Sequence, residues 1–139
     1  KMVDDLGRDG KKAGRGFYDY PEGGDKRLWP GLADAFPLAV DQPDVEEIKK
    51  RMMYVQSVET ARCMEENVVT SPQDADVGSI LGWGFAPFHG GVCSMVDSIG
   101  IEDFVSECDR LAQAHGERFT PNKLLRNMAA KGEGFYKAA

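Results

Sequence analysis

Residues 43–68 read PDVEEIKKRMMYVQSVETARCMEENV, and this stretch decides the fold class. Proline suits the first turn of a helix, and the acidic residues that follow Pro43 place negative charge at the positive end of the helix dipole. Apolar residues then recur at the three- and four-residue spacing of one helix face: Val45, Ile48, Met52, Val55, Val58, Ala61, Met64 and Val68. We predict a helix of about six turns with one wide apolar face.

Further helices are predicted after this one. Residues 71–74, Ser-Pro-Gln-Asp, combine a serine cap, a first-turn proline and an acid, and they begin a short helix that stops at Gly82. Helical spacing continues over 92–98, with Gly100 as a stop, and over 101–115, which Gly116 ends; residues 120–122 cap a last helix. Because no run in this part of the chain alternates like a strand, we predict an all-α fold, a bundle of about five helices.

The N-terminal part has a different character. Residues 1–20 indicate a short helical or loop tail that ends in an aromatic strand, and 21–25 indicate a turn. Residues 26–42 contain prolines and little periodicity, so we predict a short aromatic strand or hairpin followed by an irregular connector. The domains are predicted as 1–40, the tail of a preceding helical domain plus connector, and 41–139, the main helical domain.

A pentapeptide occurs twice. Residues 14–18 read Gly-Arg-Gly-Phe-Tyr and residues 132–136 read Gly-Glu-Gly-Phe-Tyr. Glycines that tolerate positive φ, followed by two large aromatics, indicate a tight turn that delivers an aromatic anchor onto a packed surface. The second copy closes a domain, so the first copy is expected to close an earlier domain whose body lies elsewhere. The sequence is therefore expected to be a C-terminal piece of a larger protein.

Composition excludes several classes of function. The 139 residues are 42% hydrophobic and 29% charged, as in a soluble globular domain. A net charge of −6 argues against nucleic-acid binding through a broad basic face. The basic cluster 49–51 lies beside Glu46 and Glu47 and is interpreted as a solvated helix face. The longest uncharged stretch, 77–88, is too short and too broken by glycines and proline to span a membrane.

Three cysteines and two histidines are the candidates for a metal site. None of Cys63, Cys93, Cys108, His89 and His115 stands at Cys-x-x-Cys or His-x-x-x-His spacing. We predict no metal site, and small buried or half-buried thiols in a reducing compartment.

The most unusual segment is 82–91, Gly-Trp-Gly-Phe-Ala-Pro-Phe-His-Gly-Gly. It lacks the third glycine, the lysine and the preceding strand that a dinucleotide or phosphate loop requires. We predict that Trp83, Phe85 and Phe88 plug a hydrophobic pocket against the long helix, while the glycines let the backbone pass close to a neighbouring helix. Contact with a ligand or partner domain is the alternative.

No complete active site is predicted. His89 is interpreted as a hydrogen-bonded surface residue, with donation to an anionic ligand as the alternative, and His115 as a half-buried residue near a helix C-terminus. Asp74 and Asp76 are two residues apart and point to different sides of a helix, which spoils a carboxylate pair. We therefore assign no catalytic, cofactor-binding or metal-binding residue to this chain.

An ordered set of motifs resembles a known family. The motifs are Arg51-Met52-Met53, residues 59–66 (ETARCMEE), 71–76 (SPQDAD), 82–91 and 97–100 (DSIG). Together they resemble the C-terminal helical domain of 3-hydroxyacyl-CoA dehydrogenases. The likeness is to the second copy of that domain in multifunctional fatty-acid oxidation proteins, which join an enoyl-CoA hydratase to the dehydrogenase. The first Gly-x-Gly-Phe-Tyr copy resembles the end of the first domain copy.

The resemblance implies NAD-dependent oxidation of a 3-hydroxyacyl-CoA in fatty-acid β-oxidation. In that family NAD is bound by a Rossmann domain with a His–Glu dyad, none of which is in this chain, so no cofactor is expected here. Where the first copy has a catalytic asparagine, this chain has Lys50. The implied role is structural: the domain packs against the preceding helical copy, and acyl-CoA binds in the parent enzyme only. The implied location is the bacterial cytoplasm, or mitochondria or peroxisomes in a eukaryote.

Two questions stay open at this level. A free-standing helical interaction or regulatory module is the alternative to an enzyme fragment. The long helix also predicts an exposed partner face that favours self-association, because Met52, Met53 and Val55 span two of its sides. The alternative is that residues 26–42 cover Met53.

Overall fold

A computed structural model describes residues 1–136 of the chain. Contacts between residues divide it into two compact units, Lys1–Pro43 and the residues from Asp44 onward. The predicted all-α fold is confirmed, with a short two-stranded hairpin in the N-terminal unit. The helices and strands in the described residues are β1 (Tyr18–Asp19), β2 (Arg27–Leu28), α1 (Leu32–Ala35), α2 (Val45–Glu65), α3 (Pro72–Trp83), α4 (Val92–Ile99), α5 (Ile101–His115) and α6 (Lys123–Lys131).

Helix α2 has the predicted length and start. It runs for 21 residues, and the Asp44 carboxylate caps it by accepting the backbone N–H of Glu46 at 3.0 Å. Capping of this kind satisfies backbone donors that have no partner within the helix.

The predicted apolar face of α2 is wrong in its first half. Val45, Ile48 and Met52 are exposed, and the buried positions instead begin at Tyr54 and continue through Val58 and Ala61. The reason lies in the first turns of the helix. There the side that faces α5 carries Glu47 and Lys50, which form ion pairs across the contact. A hydrophobic pattern does not register charged residues that face a neighbouring helix as a pair, so it selects the wrong side.

The other predicted helices form close to their predicted bounds. The Ser71 hydroxyl accepts the Asp74 N–H at 3.1 Å to start α3, and the Asn122 side chain accepts the Leu125 N–H at 3.2 Å to start α6. Helix α3 continues one residue past the predicted stop at Gly82 and ends at Trp83, with Gly84 as its left-handed cap.

The hydrophobic core of the second unit lies among α2, α4, α5 and α6. Phe104 and Leu111 of α5 are fully buried, as are Val58, Val96 and Leu125 from the other three helices. The Tyr54 ring stacks on Phe104 with centroids 4.6 Å apart. Each buried aliphatic or aromatic side chain contributes about 1.5–3 kcal/mol relative to exposure, so this core accounts for much of the stability of the bundle.

The N-terminal unit is built on main-chain and aromatic contacts. Strands β1 and β2 pair antiparallel with Tyr18 opposite Leu28, so part of the predicted irregular connector is in fact the second strand. Arg8 donates to the Gly16 carbonyl at 2.7 Å, forms an ion pair with Asp19 and lies over the Trp29 ring. Gly16 is the one buried residue of this unit, which therefore has no apolar core of its own.

No helix in the described part of the chain is long and apolar enough to span a lipid bilayer.

Candidate functional site

The three aromatics of the 82–91 segment have different environments. Phe85 is 2% exposed and belongs to the core, as predicted, whereas Trp83 and Phe88 are 59% and 84% exposed. The prediction that all three plug one pocket is therefore wrong for two of them. After the left-handed turn at Gly84, the Phe85 N–H donates to the Ser79 carbonyl at 3.0 Å, which turns only this ring inward. The Trp83 indole stays on the surface, where it donates to the Gln56 side chain at 2.7 Å.

A groove lies between α2 and α3 beside Trp83. Its volume is about 530 Å³, and its apolar wall comprises Val55, Cys63, Val69, Ala75, Gly78 and Trp83. Gln56, Glu59, Thr60 and Asp74 also line it. On the two helices, Met52, Val77 and Leu81 are exposed as well, Leu81 to 80%. Exposed apolar side chains beside an apolar groove are the usual composition of a docking surface. We call the groove lining, together with the exposed residues Met52, Val77 and Leu81, the α2–α3 face.

A second arrangement holds the C-terminal Gly-x-Gly-Phe-Tyr copy. Asp97 of α4 accepts the backbone N–H groups of Phe135 and Tyr136, one on each carboxylate oxygen, at 2.8 Å. Asp76 of α3 is buried and accepts the Tyr136 hydroxyl at 2.7 Å. Asp76 also accepts the Cys93 N–H at 2.6 Å and the Ser94 hydroxyl at 2.6 Å, so it ties α3 to the first turn of α4.

The aromatic anchor of the C-terminal copy was predicted from the sequence, but the two carboxylates that hold it, Asp76 and Asp97, were not. Asp74 and Asp76 do point to different sides, since Asp74 is exposed and Asp76 is buried. The role of Asp76 was missed because Tyr136 lies 60 positions away in sequence. Asp97 was missed for the same reason, and no local pattern marks it as an acceptor. The prediction that the glycines of 82–91 let the backbone pass close to a neighbouring helix is confirmed for Gly91, where a Cβ would collide with the Asp76 side chain. It is wrong for Gly82 and Gly84, where an added Cβ would meet no atom within 4 Å.

Burial keeps the Tyr136 hydroxyl and the Cys93 thiol of this arrangement neutral at neutral pH. Burial and the hydrogen bond to Asp76 raise the pKa of Tyr136 to about 12. Burial, with the nearby Asp76 charge, raises the pKa of the Cys93 thiol to about 12, and burial likewise raises the pKa of Cys108 to about 12. Thiols with such pKa values are poor nucleophiles at neutral pH, so they contribute packing rather than chemistry.

The predicted candidates for metal or acid–base chemistry are dispersed. Within residues 1–136, no three His, Cys, Asp or Glu side chains are grouped as metal ligands. His115 is half-buried, as predicted, and its Nε2 lies 2.9 Å from Glu47 Oε1. The hydrogen bond from the Arg110 guanidinium and, to a smaller extent, the one with His115 lower the pKa of Glu47. His89 packs its ring 4.2 Å from that of Phe88 and makes no side-chain hydrogen bond to another described residue, unlike the hydrogen-bonded residue that was predicted.

Lys50 is engaged in an ion pair. Its Nζ lies 2.8 Å from Glu107 Oε1, which also accepts from Arg110 at 2.8 Å. Arg110, together with Lys50, lowers the pKa of Glu107 to about 2. Lys50 therefore helps to fasten α2 to α5.

The segment 82–91 does not have the structure of a nucleotide-binding loop. The glycine-rich segment 82–91 follows helix α3 rather than a strand, so its backbone lacks the strand–loop–helix context that holds a pyrophosphate. No protein-family model matches this chain. The geometry offers an apolar docking surface and an anchored C-terminal motif.

Proposed function

We propose that this chain is the C-terminal helical part of an NAD-dependent 3-hydroxyacyl-CoA dehydrogenase of fatty-acid β-oxidation, and that its own role is structural. In this proposal it packs against a preceding helical domain of the same protein, while NAD and the acyl-CoA substrate bind to domains upstream. The motif set from Arg51 to Gly100 supports the family. The observation that carries the structural role is the apolar α2–α3 face.

The α2–α3 face suits a helical partner. Val77, Leu81 and Trp83 are exposed on one helix, and Trp83 also lines the groove. The groove has an open position at Gly78, where an added Cβ would meet no other atom within 4 Å. Covering such residues contributes about 25 cal/mol per Å² of apolar surface removed from water. A helix that lays apolar side chains into the groove would gain this energy, and a basic residue at its edge would pair with the carboxylates of Glu59 and Asp74.

The N-terminal unit supports a preceding domain. Gly16 is its single buried residue, and Phe17 and Phe36 remain exposed although their rings lie 6.3 Å apart. Segments of this length rarely bury enough apolar surface to be stable alone. We propose that Lys1–Pro43 completes the core of the domain that comes before the bundle.

The ion pair of Lys50 supports a structural role without catalytic turnover. A catalytic asparagine needs a free amide that reaches the substrate, whereas Lys50 is held by Glu107. We expect the isolated chain to show no dehydrogenase activity and no measurable NAD affinity by calorimetry. Micromolar NAD binding would contradict this part of the proposal.

The decisive experiment expresses the chain together with the coding sequence that precedes it. The longer protein should reduce NAD with a 3-hydroxyacyl-CoA, and Leu81→Glu should lower its thermal stability and its activity. In the isolated chain the same change should leave stability within about 0.5 kcal/mol, because Leu81 is already in water. Gln73→Glu is the control, since it adds the same charge to α3 at an exposed polar position near the start of the helix.

Two outcomes would overturn the proposal. If the preceding sequence encodes no dinucleotide-binding domain, or the longer protein does not oxidise 3-hydroxyacyl-CoA, the enzyme assignment fails and a free-standing interaction module replaces it. If Leu81→Glu affects the longer protein no more than Gln73→Glu does, the α2–α3 face is not the internal contact.

A further inference from the structure

The C-terminal pentapeptide occupies a built site on the bundle. After α6 ends, residues 132–136 cross to α3 and α4, where Asp97 takes two backbone N–H groups and Asp76 takes the Tyr136 hydroxyl. Phe135 and Tyr136 pack their rings against the core. Gly134 is required by space, because a Cβ there would lie 2.7–2.8 Å from the Asp97 carboxylate. The site therefore selects for a glycine, two consecutive N–H donors and a phenol.

Every feature that this site selects is repeated in Gly14–Tyr18. Gly16, Phe17 and Tyr18 match Gly134, Phe135 and Tyr136. The backbone also enters the two copies alike: Gly14 follows a helical turn with φ of 72°, and Gly132 follows α6 with φ of 66°. This left-handed conformation favours glycine, so both copies share the same start.

The one difference between the copies favours the first as a ligand. Where the C-terminal copy has Glu133, the N-terminal copy has Arg15. The depression around Glu133 is also lined by the carboxylates of Asp97, Glu102 and Asp103. Replacing a negative side chain with a positive one in this surrounding converts repulsion into attraction, a modest and salt-sensitive gain at a solvent-exposed position.

The aromatic part of the first copy is exposed in its own unit, whereas Gly16 is buried against Gly10, so binding to the Asp97 site requires this contact to open. Phe17 is 56% exposed and Tyr18 is also exposed. The hairpin uses their carbonyl oxygens, which accept from Trp29 N at 3.0 Å and Gly16 N at 2.7 Å. Asp97 accepts backbone N–H groups instead. The hydrogen bonds of the hairpin through these carbonyl oxygens therefore do not compete with those that Asp97 would accept.

We propose that Asp76 and Asp97 form a binding site for Gly-x-Gly-Phe-Tyr segments, and that Gly14–Tyr18 of a second copy of this chain is a ligand for it. The chain's own C-terminal copy holds the site first, because a tethered segment has a high effective concentration. A second chain therefore binds when that copy is displaced.

The test uses the full chain with Gly134→Ala, which drives a methyl group into Asp97 and releases the chain's own copy. The probe is a fluorescent peptide of residues 11–20, KKAGRGFYDY, followed by anisotropy. We expect saturable binding at least about tenfold tighter than to the unmodified chain, weakened by salt. A peptide with Gly16→Ala, and a chain that carries Asp97→Asn with Gly134→Ala, should lose this binding.

Sedimentation equilibrium tests the second copy as occupant. The Gly134→Ala chain should form a dimer that the peptide dissociates, and adding Tyr18→Phe to that chain, which removes the phenol that Asp76 would accept, should weaken the dimer. Circular dichroism checks that helix content is retained; if it is not, Phe135→Ala with Tyr136→Ala, which removes both rings that hold the chain's own copy on the core, replaces Gly134→Ala. Absence of saturable peptide binding to the folded variant, or equal binding of the Gly16→Ala peptide, would overturn the site. A strictly monomeric variant would overturn the second copy as its ligand.

Discussion

The two Gly-x-Gly-Phe-Tyr copies share four of their five residues, yet only one of them is anchored. Phe135 and Tyr136 rest on the core of the bundle and are held by two carboxylates, whereas Phe17 and Tyr18 are exposed on a unit with a single buried residue. The local turn is the same in both, since each copy begins with a left-handed glycine. The comparison shows that both copies begin with a left-handed glycine, while acceptors distant in sequence determine whether the aromatics become anchors.

The largest difference should appear when the bundle and the N-terminal unit each lose one phenylalanine. Phe85→Ala removes a fully packed ring and should lower the free energy of unfolding by about 3–5 kcal/mol, a large part of the roughly 5–15 kcal/mol typical of a domain. Phe17→Ala removes an exposed ring and should change it by less than about 0.5 kcal/mol. Urea denaturation followed by circular dichroism measures both, and equal effects would contradict the contrast between the units.

A smaller difference is expected for the two tyrosine hydroxyls. Tyr136→Phe leaves Asp76 with one donor fewer and should cost about 1–2 kcal/mol, because hydrogen bonds to charged groups are stronger than neutral ones. Tyr18→Phe removes an exposed hydroxyl with no acceptor among the described residues and should be neutral. If both changes prove neutral in thermal melts, the Asp76 contact does not anchor the C-terminal copy.

The same contact should be sensitive to high pH. The pKa of Tyr136 rises from the ordinary value of 10.0 to about 12 in the folded chain, because of burial and the hydrogen bond to Asp76. Its stabilisation is therefore fully present below pH 10 and is lost as the pH rises through 12. The stability difference between the original chain and Tyr136→Phe should shrink across that window.

Tyr54 also loses stabilisation at high pH, since burial raises its pKa to about 12. For this reason the comparison is made between the two chains at each pH rather than along one titration. A difference that stays constant from pH 9 to 12 would count against a protonated Tyr136 as the anchor.

How far the sequence predicted this structure depends on the range of the interactions. Helix starts were predicted because caps act over three residues, as Ser71 and Asn122 do. Phe85 was predicted to be buried, and it lies in the core. The buried side of α2 was misplaced because Glu47 and Lys50 face α5 through ion pairs.

The candidate site was predictable only in part. The apolar character of the segment 82–91 indicated contact, but whether Trp83 faces the core depends on Gln56 in another helix. The carboxylates that hold Tyr136 are 39 and 60 positions away and left no local pattern. Pairings of this kind become visible only when the helices are placed.

The smallest thermal effect, and the most specific test of the α2–α3 face, is expected for Leu81. This face exposes Val77, Leu81 and Trp83 in the isolated chain, so a second molecule can cover it when the proposed partner domain is absent. We expect sedimentation across a range of concentrations to show weak self-association. Leu81→Glu should reduce it with almost no change in melting temperature, because a charge in the contact must be desolvated when two faces meet, whereas in the monomer it stays in water.

Val40→Glu places the same charge at a fully exposed position of the N-terminal unit and should leave self-association unchanged. A chain that remains strictly monomeric at high concentration would mean that these exposed side chains do not form a partner face.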